Sequence, residues 1–154
     1  MSRLKILIDR LTEFGVNPDV DTADKVKTLK KLLVEIYAEY LNVEVDFDKE
    51  SYEEEPNFEY NAVRKNVKSN FPDFDWYSII LDQNKMIPDI EVAIGDAIDD
   101  LTDIIKDMLV IKWRMENTSE MNAVWHFEFL MRAHSEQHLV ALLKYLKNKR
   151  SLQF

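Results

Sequence analysis

The chain has 154 residues, 46% of them hydrophobic, with 29 acidic side chains against 20 basic ones and a net charge of −9. That length buries a core without metals or disulfides, and the apolar share excludes a mainly disordered protein. The absence of cysteine excludes a disulfide framework, a thiolate zinc site and a cysteine nucleophile, and two glycines cannot form a phosphate-cradling loop.

With only two glycines and four prolines, turns are scarce and long helices are predicted, packed as one domain over 1–154. The opening "MSRLKILIDRL" is interrupted by charges and lacks the apolar core of a secretory signal. No apolar run approaches the roughly 20 residues that span a bilayer, so a cytoplasmic protein without membrane contact is expected. Leu4, Leu7, Ile8, Leu11 and Phe14 follow helical spacing, and Gly15 stands where a C-terminal cap belongs. "NPDVDTAD" is a turn offering several N-caps. A second amphipathic helix follows over roughly 22–41 on Val26, Leu29, Leu33, Ile36, Tyr37 and Tyr40, with Lys31 and Glu35 as a charge pair.

Residues 44–59 hold eight carboxylates and one lysine, which is −7 of the total −9. Repulsion within the run predicts a solvated loop, with 44–56 the most mobile internal segment. This balance argues against nucleic acid as a direct partner, since phosphate binding needs a basic footprint. It suits a basic protein surface, with Glu53, Glu54 and Glu55 as candidate contacts. Pro56 is placed to open a third helix through "NFEYNAVRKNVK". Between Pro72 and Pro88, the connection 70–89 carries Phe71, Phe74, Trp76, Tyr77 and "IIL". So much aromatic surface predicts an ordered connection whose rings plug one end of the bundle, with a short strand at 77–81.

The fourth helix is predicted in "DIEVAIGDAIDDLTDIIKDMLVIKWRM". On a wheel centred at Leu101, Ile94, Ala97, Ile98, Ile104, Ile105, Met108 and Met115 fall within about 60° of it. Asp96, Asp99, Asp100, Asp103 and Asp107 gather on the opposite side. A solvated face is the first reading of that ridge; a carboxylate cluster for a cation or a basic partner is the second.

The fifth helix begins at Thr118 or Ser119 and ends in Lys144, Lys147, Lys149 and Arg150, which complement its dipole. A wheel centred at Phe127 puts His134 and His138 at about −20° and +20°, inside the apolar stripe. A second stripe of Trp125, Phe129, Val140 and Leu143 makes this the helix predicted to be most buried. Inward histidines have three readings. Each ring packs in the core and hydrogen-bonds a carboxylate, tyrosine or carbonyl. Alternatively, the pair at i and i+4 ligates one metal ion together with an aspartate such as Asp103. The third is acid–base chemistry in a cleft, for which no nucleophile motif is present.

The segments "GDAIDDLTDIIKDM", "W-x-x-E-x-T-S-E-x-x-A-V-W-H-F" and "H-S-E-Q-H-L-V-A-L-L-K-Y-L" resemble the C-terminal half of a bacterial family, domain of unknown function 5063. The resemblance covers about residues 90–147. Asp100, Asp103 and Asp107 match its acidic pattern, and His134, His138 and Leu139 match its closing helix. The family often has Trp-Gly between the histidines, where this chain has Ser135 and Glu136. The resemblance implies an all-helical fold and brings no reaction with it.

The sequence therefore predicts an all-α bundle of about five helices with no cofactor and no catalytic residues. The favoured function is a small acidic interaction module, of adaptor, regulator or toxin-neutralising type. It would meet a basic partner through Glu53, Glu54, Glu55, Asp96, Asp100, Asp103 and Asp107. The alternative is a metal-binding protein or metal-dependent hydrolase built on His134, His138 and Asp103.

Overall fold

Apolar residues at helical spacing give the first helix, α1 (Arg3–Val16), whose N-cap Ser2 accepts from the Lys5 amide. In the computed structural model, which describes residues 2–151, the remaining elements are α2 (Lys25–Asn42), α3 (Tyr60–Asn70), β1 (Trp76–Ile80), β2 (Val92–Asp96), α4 (Ala97–Asn117), α5 (Glu120–Leu130) and α6 (Glu136–Ser151). A π turn, Met131–Ser135, joins α5 to α6 without a break. The fold is all-α, with one small antiparallel hairpin as its only sheet among the described residues. No described helix is long and apolar enough to cross a membrane.

Helix α4 is the centre of the bundle, packed against α1, α3, α5 and α6. Ten of its 21 residues are buried, more than in any other described helix, so the largest share of the core comes from it and not from the last helix. Ile98, Leu101, Ile105 and Met108 meet Leu7, Ile8, Leu11 and Phe14 of α1 in one continuous core. Thr102 is buried there too, and its hydroxyl donates to the Ile98 carbonyl one turn back, as Thr12 donates to Ile8. Both hydroxyls are thus satisfied without any tertiary partner.

Asn70 ends α3 as a clip. Its Nδ2 donates to the carbonyls of Phe14 (3.1 Å) and Asn17 (2.7 Å), and its Oδ1 accepts from the Val20 amide (2.9 Å). These bonds fasten the turn after α1 and satisfy backbone groups that a helix end leaves open. Phe71 and Phe74 follow directly, stacked on each other and packed against Phe14 and Tyr145. They plug the bundle end as predicted, whereas Trp76 stays in water at 70% exposure.

Several predicted boundaries move for physical reasons. Helix α1 runs through Gly15 in ordinary helical conformation and ends at the cap Asn17, so Gly15 is not a left-handed cap. Helix α3 starts at Tyr60 and not at Pro56, because the acidic run stays extended up to Glu59. Ile94 and Asp96 lie outside α4. Val92–Asp96 pairs with β1 as a strand, and Asp96 caps the helix by accepting from the Ile98 amide. Glu35 pairs with Arg3 across to α1 instead of with Lys31. The acidic run has no regular secondary structure, yet it is fastened by Phe47 on Trp125, Asp48 on Ser119, Glu55 on Arg114 and Phe58 on the core. The side chain of Arg150, last of the predicted terminal cations, lies outside the described residues.

Gly15 is required for close approach. A Cβ there would stand 2.5 Å from Ile105 Cγ2 and 3.0 Å from Val63 Cγ1, where α1, α3 and α4 converge. Ile105 is β-branched and fully buried, so it has little room to yield. Gly15→Ala is expected to cost about 1–3 kcal/mol in urea denaturation through overpacking, despite the ~1 kcal/mol that alanine gains in helix propensity. An unchanged or raised midpoint would contradict this packing.

Candidate functional site

Carboxylates of α4 and the histidines of the last helical rod meet in one cluster where the two helices face each other. Asp100, Asp103 and Asp107 stand one turn apart on α4. Opposite them, His134 and Ser135 come from the π turn and His138 from the first turn of α6. His134 Nδ1 lies 2.8 Å from Asp107 Oδ2, and the Ser135 hydroxyl donates to the same oxygen at 2.6 Å. His138 Nδ1 lies 2.8 Å from Asp100 Oδ1, while Tyr77 of β1 donates to the other oxygen of Asp100. The two imidazoles meet edge to face, with centroids 4.8 Å apart.

These contacts fix the chemistry of the rings. A carboxylate only accepts, so each Nδ1 carries the proton. In the neutral ring, Nε2 then keeps its lone pair free. His138 Nε2 faces Asp103 Oδ2 at 3.5 Å. One ligand atom from each of Asp103, His134 and His138 lies within 4.8 Å of the other two. Asp100 and Asp107 thus hold the rings through Nδ1, and Asp103 faces the Nε2 of His138.

The histidines do not sit at the centre of the apolar stripe, as a regular wheel predicts. Buried positions run Ala123, Phe127, Met131, Ser135, Leu139 and Leu142. A π turn accommodates one extra residue, so every position beyond Met131 is displaced by about 100° relative to an unbroken α-helix. Ser135 and Leu139 take the core positions, and the histidines rotate to the boundary facing α4. His138 is more enclosed than His134, at 19% and 40% side-chain exposure.

The aspartate ridge is likewise turned inward. Asp100 is buried, and Asp103 and Asp107 are half-buried, because α5 and α6 cover that side of α4. Asp96 holds the helix N-terminus and pairs with Arg64 at 3.0 Å, and Asp99 accepts from Tyr60. Of the predicted partner contacts, Glu55 is bound to Arg114, and only Glu53 and Glu54 stand fully exposed. Tyr77 and Ser135 were absent from the predicted site. Tyr77 looked like one more ring of an aromatic connection, and Ser135 became inward-facing only through the π turn.

Electrostatics follow from this crowding. The hydrogen bond that His138 donates to Asp100 pushes His138 above its ordinary value against the effect of burial, and the charges of Asp100, Asp103 and Asp99 add to it. Asp103 is also pushed up, by burial first and by the Asp99 charge second, while the two histidines pull it down. Its ionised form is therefore disfavoured where it stands, which a cation beside it would reverse. His126, outside the cluster, is pushed down by burial and by Arg114.

No family model matches the chain, and no curated protein does. Among solved structures, that of protein BF1032 from Bacteroides fragilis is similar, with a TM-score of 0.69 over 98% of this chain and 90% of that one, at 17% identity. The fold is shared. At that identity the likeness carries no site and no activity.

In metal-free protein, a proton NMR titration is expected to find His138 titrating above 6.5 and His126 below it. Because the native value of His138 is raised, its contribution to stability is complete below the unfolded value and fades as pH rises through the native one. Asp100→Asn is expected to return His138 toward the ordinary value. A His138 titration at or below 6.5 in the wild type would contradict the Asp100 bond.

Proposed function

We propose that this protein binds one divalent transition-metal ion through Asp103, His134 and His138. The observation that carries the reading is the pair of imidazoles whose Nδ1 atoms are held by carboxylates, at 2.8 Å each, with His138 Nε2 3.5 Å from Asp103 and one ligand atom of each of the three residues within 4.8 Å of the others. Metal-binding histidines characteristically donate their other ring N–H to a carboxylate, which fixes the tautomer and raises ligand basicity. Asp103 supports the same reading, since it alone of the described aspartates of the cluster has no donor at full hydrogen-bond distance.

Two imidazoles and one carboxylate suit zinc, and they also form the donor set of non-haem iron sites. Three protein ligands leave a position for water, whose pKa a bound zinc lowers to about 7. Hydrolysis by metal-bound water is the reaction this arrangement favours. Ser135 is not its nucleophile, being fully buried with its hydroxyl bound to Asp107. The proposed likeness to domain of unknown function 5063 involves these same residues, Asp100, Asp103, Asp107, His134 and His138.

Tag-free protein is expected to bind one zinc, manganese or iron(II) ion per chain, and its melting temperature is expected to rise with metal and fall with chelator. His138→Ala and Asp103→Ala should abolish binding, whereas Asp107→Asn, behind His134, should weaken it about 10- to 100-fold. Affinity should increase with pH, because the ion competes with the second, Nε2 proton of the His138 imidazolium, a form that the Asp100 carboxylate favours. A melt indifferent to all three metals, with no ion by elemental analysis, would overturn the reading.

A second reading is a basic protein partner on the acidic run, supported by the exposure of Glu44, Asp46, Glu50, Glu53 and Glu54 along one extended segment. Association with such a surface is expected to weaken as salt rises. Replacing Glu53 and Glu54 with glutamine should slow it without moving the melt; Glu55 is spared because it holds Arg114. Salt-independent association would exclude this partner class.

A further inference from the structure

Each carboxylate that holds an imidazole is itself held by a hydroxyl. Asp107 accepts from His134 and from Ser135 on one oxygen, while Asp100 accepts from His138 on Oδ1 and from Tyr77 on Oδ2. The two hydroxyls differ in origin. Ser135 is the residue after His134, whereas Tyr77 reaches its carboxylate from a separate element, β1. Asp100 is buried, and among the described residues it has these two donors and no third. The last torsion of an aspartate is soft, so a carboxylate bonded to an imidazole alone could swing together with the ring. A donor on its other oxygen fixes its plane.

The fold places the Tyr77 hydroxyl deliberately at that point. Strand β2 runs straight into α4, so the register that pairs Tyr77 with Gly95 also sets Tyr77 beside the first turns of the helix. The Ala97 amide donates to the Asp75 carbonyl (3.2 Å) and the Asp75 amide to the Tyr145 hydroxyl (2.9 Å), which fastens the start of β1 to α4 and α6. The Tyr77 ring rests on Tyr145, with centroids 5.4 Å apart. Gly95 leaves it room: a Cβ there would stand 2.8 Å from the Tyr77 hydroxyl oxygen and closer still to Cζ.

We infer that Tyr77 is a positioning residue of the metal site proposed above: its hydroxyl fixes the carboxylate of Asp100, and Asp100 thereby fixes the ring of His138 for the ion. The inference rests on the metal-binding reading and adds the hairpin to it. Losing an outer partner of a metal-ligating histidine typically weakens affinity about 10- to 100-fold, and Tyr77 acts one hydrogen bond further out.

Zinc affinity of the tag-free full chain, measured by competition with a chromophoric chelator, tests this. Tyr77→Phe keeps the ring and its packing; it is expected to weaken zinc binding about tenfold, the lower end of that range, with the helical circular dichroism signal unchanged. In an Asp100→Ala background the same change should cost no further affinity, because the hydroxyl acts through that carboxylate. Gly95→Ala is an independent variant. It displaces the tip of the ring without removing the hydroxyl, and it should weaken zinc binding by a similar factor, with no added loss when combined with Tyr77→Phe. Equal affinity of wild type and Tyr77→Phe would overturn the inference and leave the metal site standing. An equal loss with and without the Asp100 carboxylate would overturn it as well, since a general structural role acts in both backgrounds alike. A wild type that binds no zinc would remove the metal-binding reading itself, and this inference with it.

Discussion

Helix α4 is enclosed by four other helices and carries four aspartates, with a fifth, Asp96, as its N-cap, and the polar architecture of the molecule answers that constraint. Burying a carboxylate without partners costs several kcal/mol, so each one needs a donor. Asp96 receives backbone amides and Arg64, Asp99 receives Tyr60, Asp100 receives Tyr77 and His138, and Asp107 receives His134 and Ser135. These donors come from α3, β1, the π turn and α6, so satisfying one helix fastens most of the fold to it. Asp103 is the exception, half-buried and facing a ring nitrogen at 3.5 Å. A metal ion between them would supply the missing positive charge, and the cluster would then have no unanswered carboxylate.

The hairpin contributes to two surfaces at once. Residues alternate along a strand, so Tyr77 reaches inward to Asp100 and rests on Tyr145, while Trp76 and Ser78 on either side face out. Gly95 belongs to the same arrangement: opposite Tyr77 in the register, it has no side chain to obstruct the ring.

Much of this was legible in the residues, and what was not has specific causes. Helices α1, α2 and α5 follow from apolar spacing and the cap Ser119 from its position before it, while the turn before α2 offered several caps, of which Asp24 is the one used. That His134 and His138 need a polar partner was also legible, because a histidine among apolar residues needs one. Which carboxylates, and at what angle, was not. A helical wheel assumes 3.6 residues per turn throughout, and nothing in "LMRAHSE" announces that one turn is wider. The aspartate ridge was assigned to solvent because a wheel divides a helix into one dry and one wet side. A central helix packed on both sides has no such division. The hairpin was hidden because Ile94 fits the apolar face of α4 by spacing, and only its pairing with Ser78 reveals it as strand.

The π turn bears on how relatives of this chain are to be compared. Apolar positions before it (Ala123, Phe127, Met131) and after it (Leu139, Leu142, Leu146) lie on one side of a single rod, joined by a segment holding one residue more than an α-helix needs. A relative lacking that residue would keep both sets aligned on an uninterrupted helix and would still place its histidines one step before the core leucine. The natural position for a one-residue gap in an alignment is therefore inside 131–135. An alignment forced through without it would pair His134 with a core position and lose the correspondence of the whole closing helix.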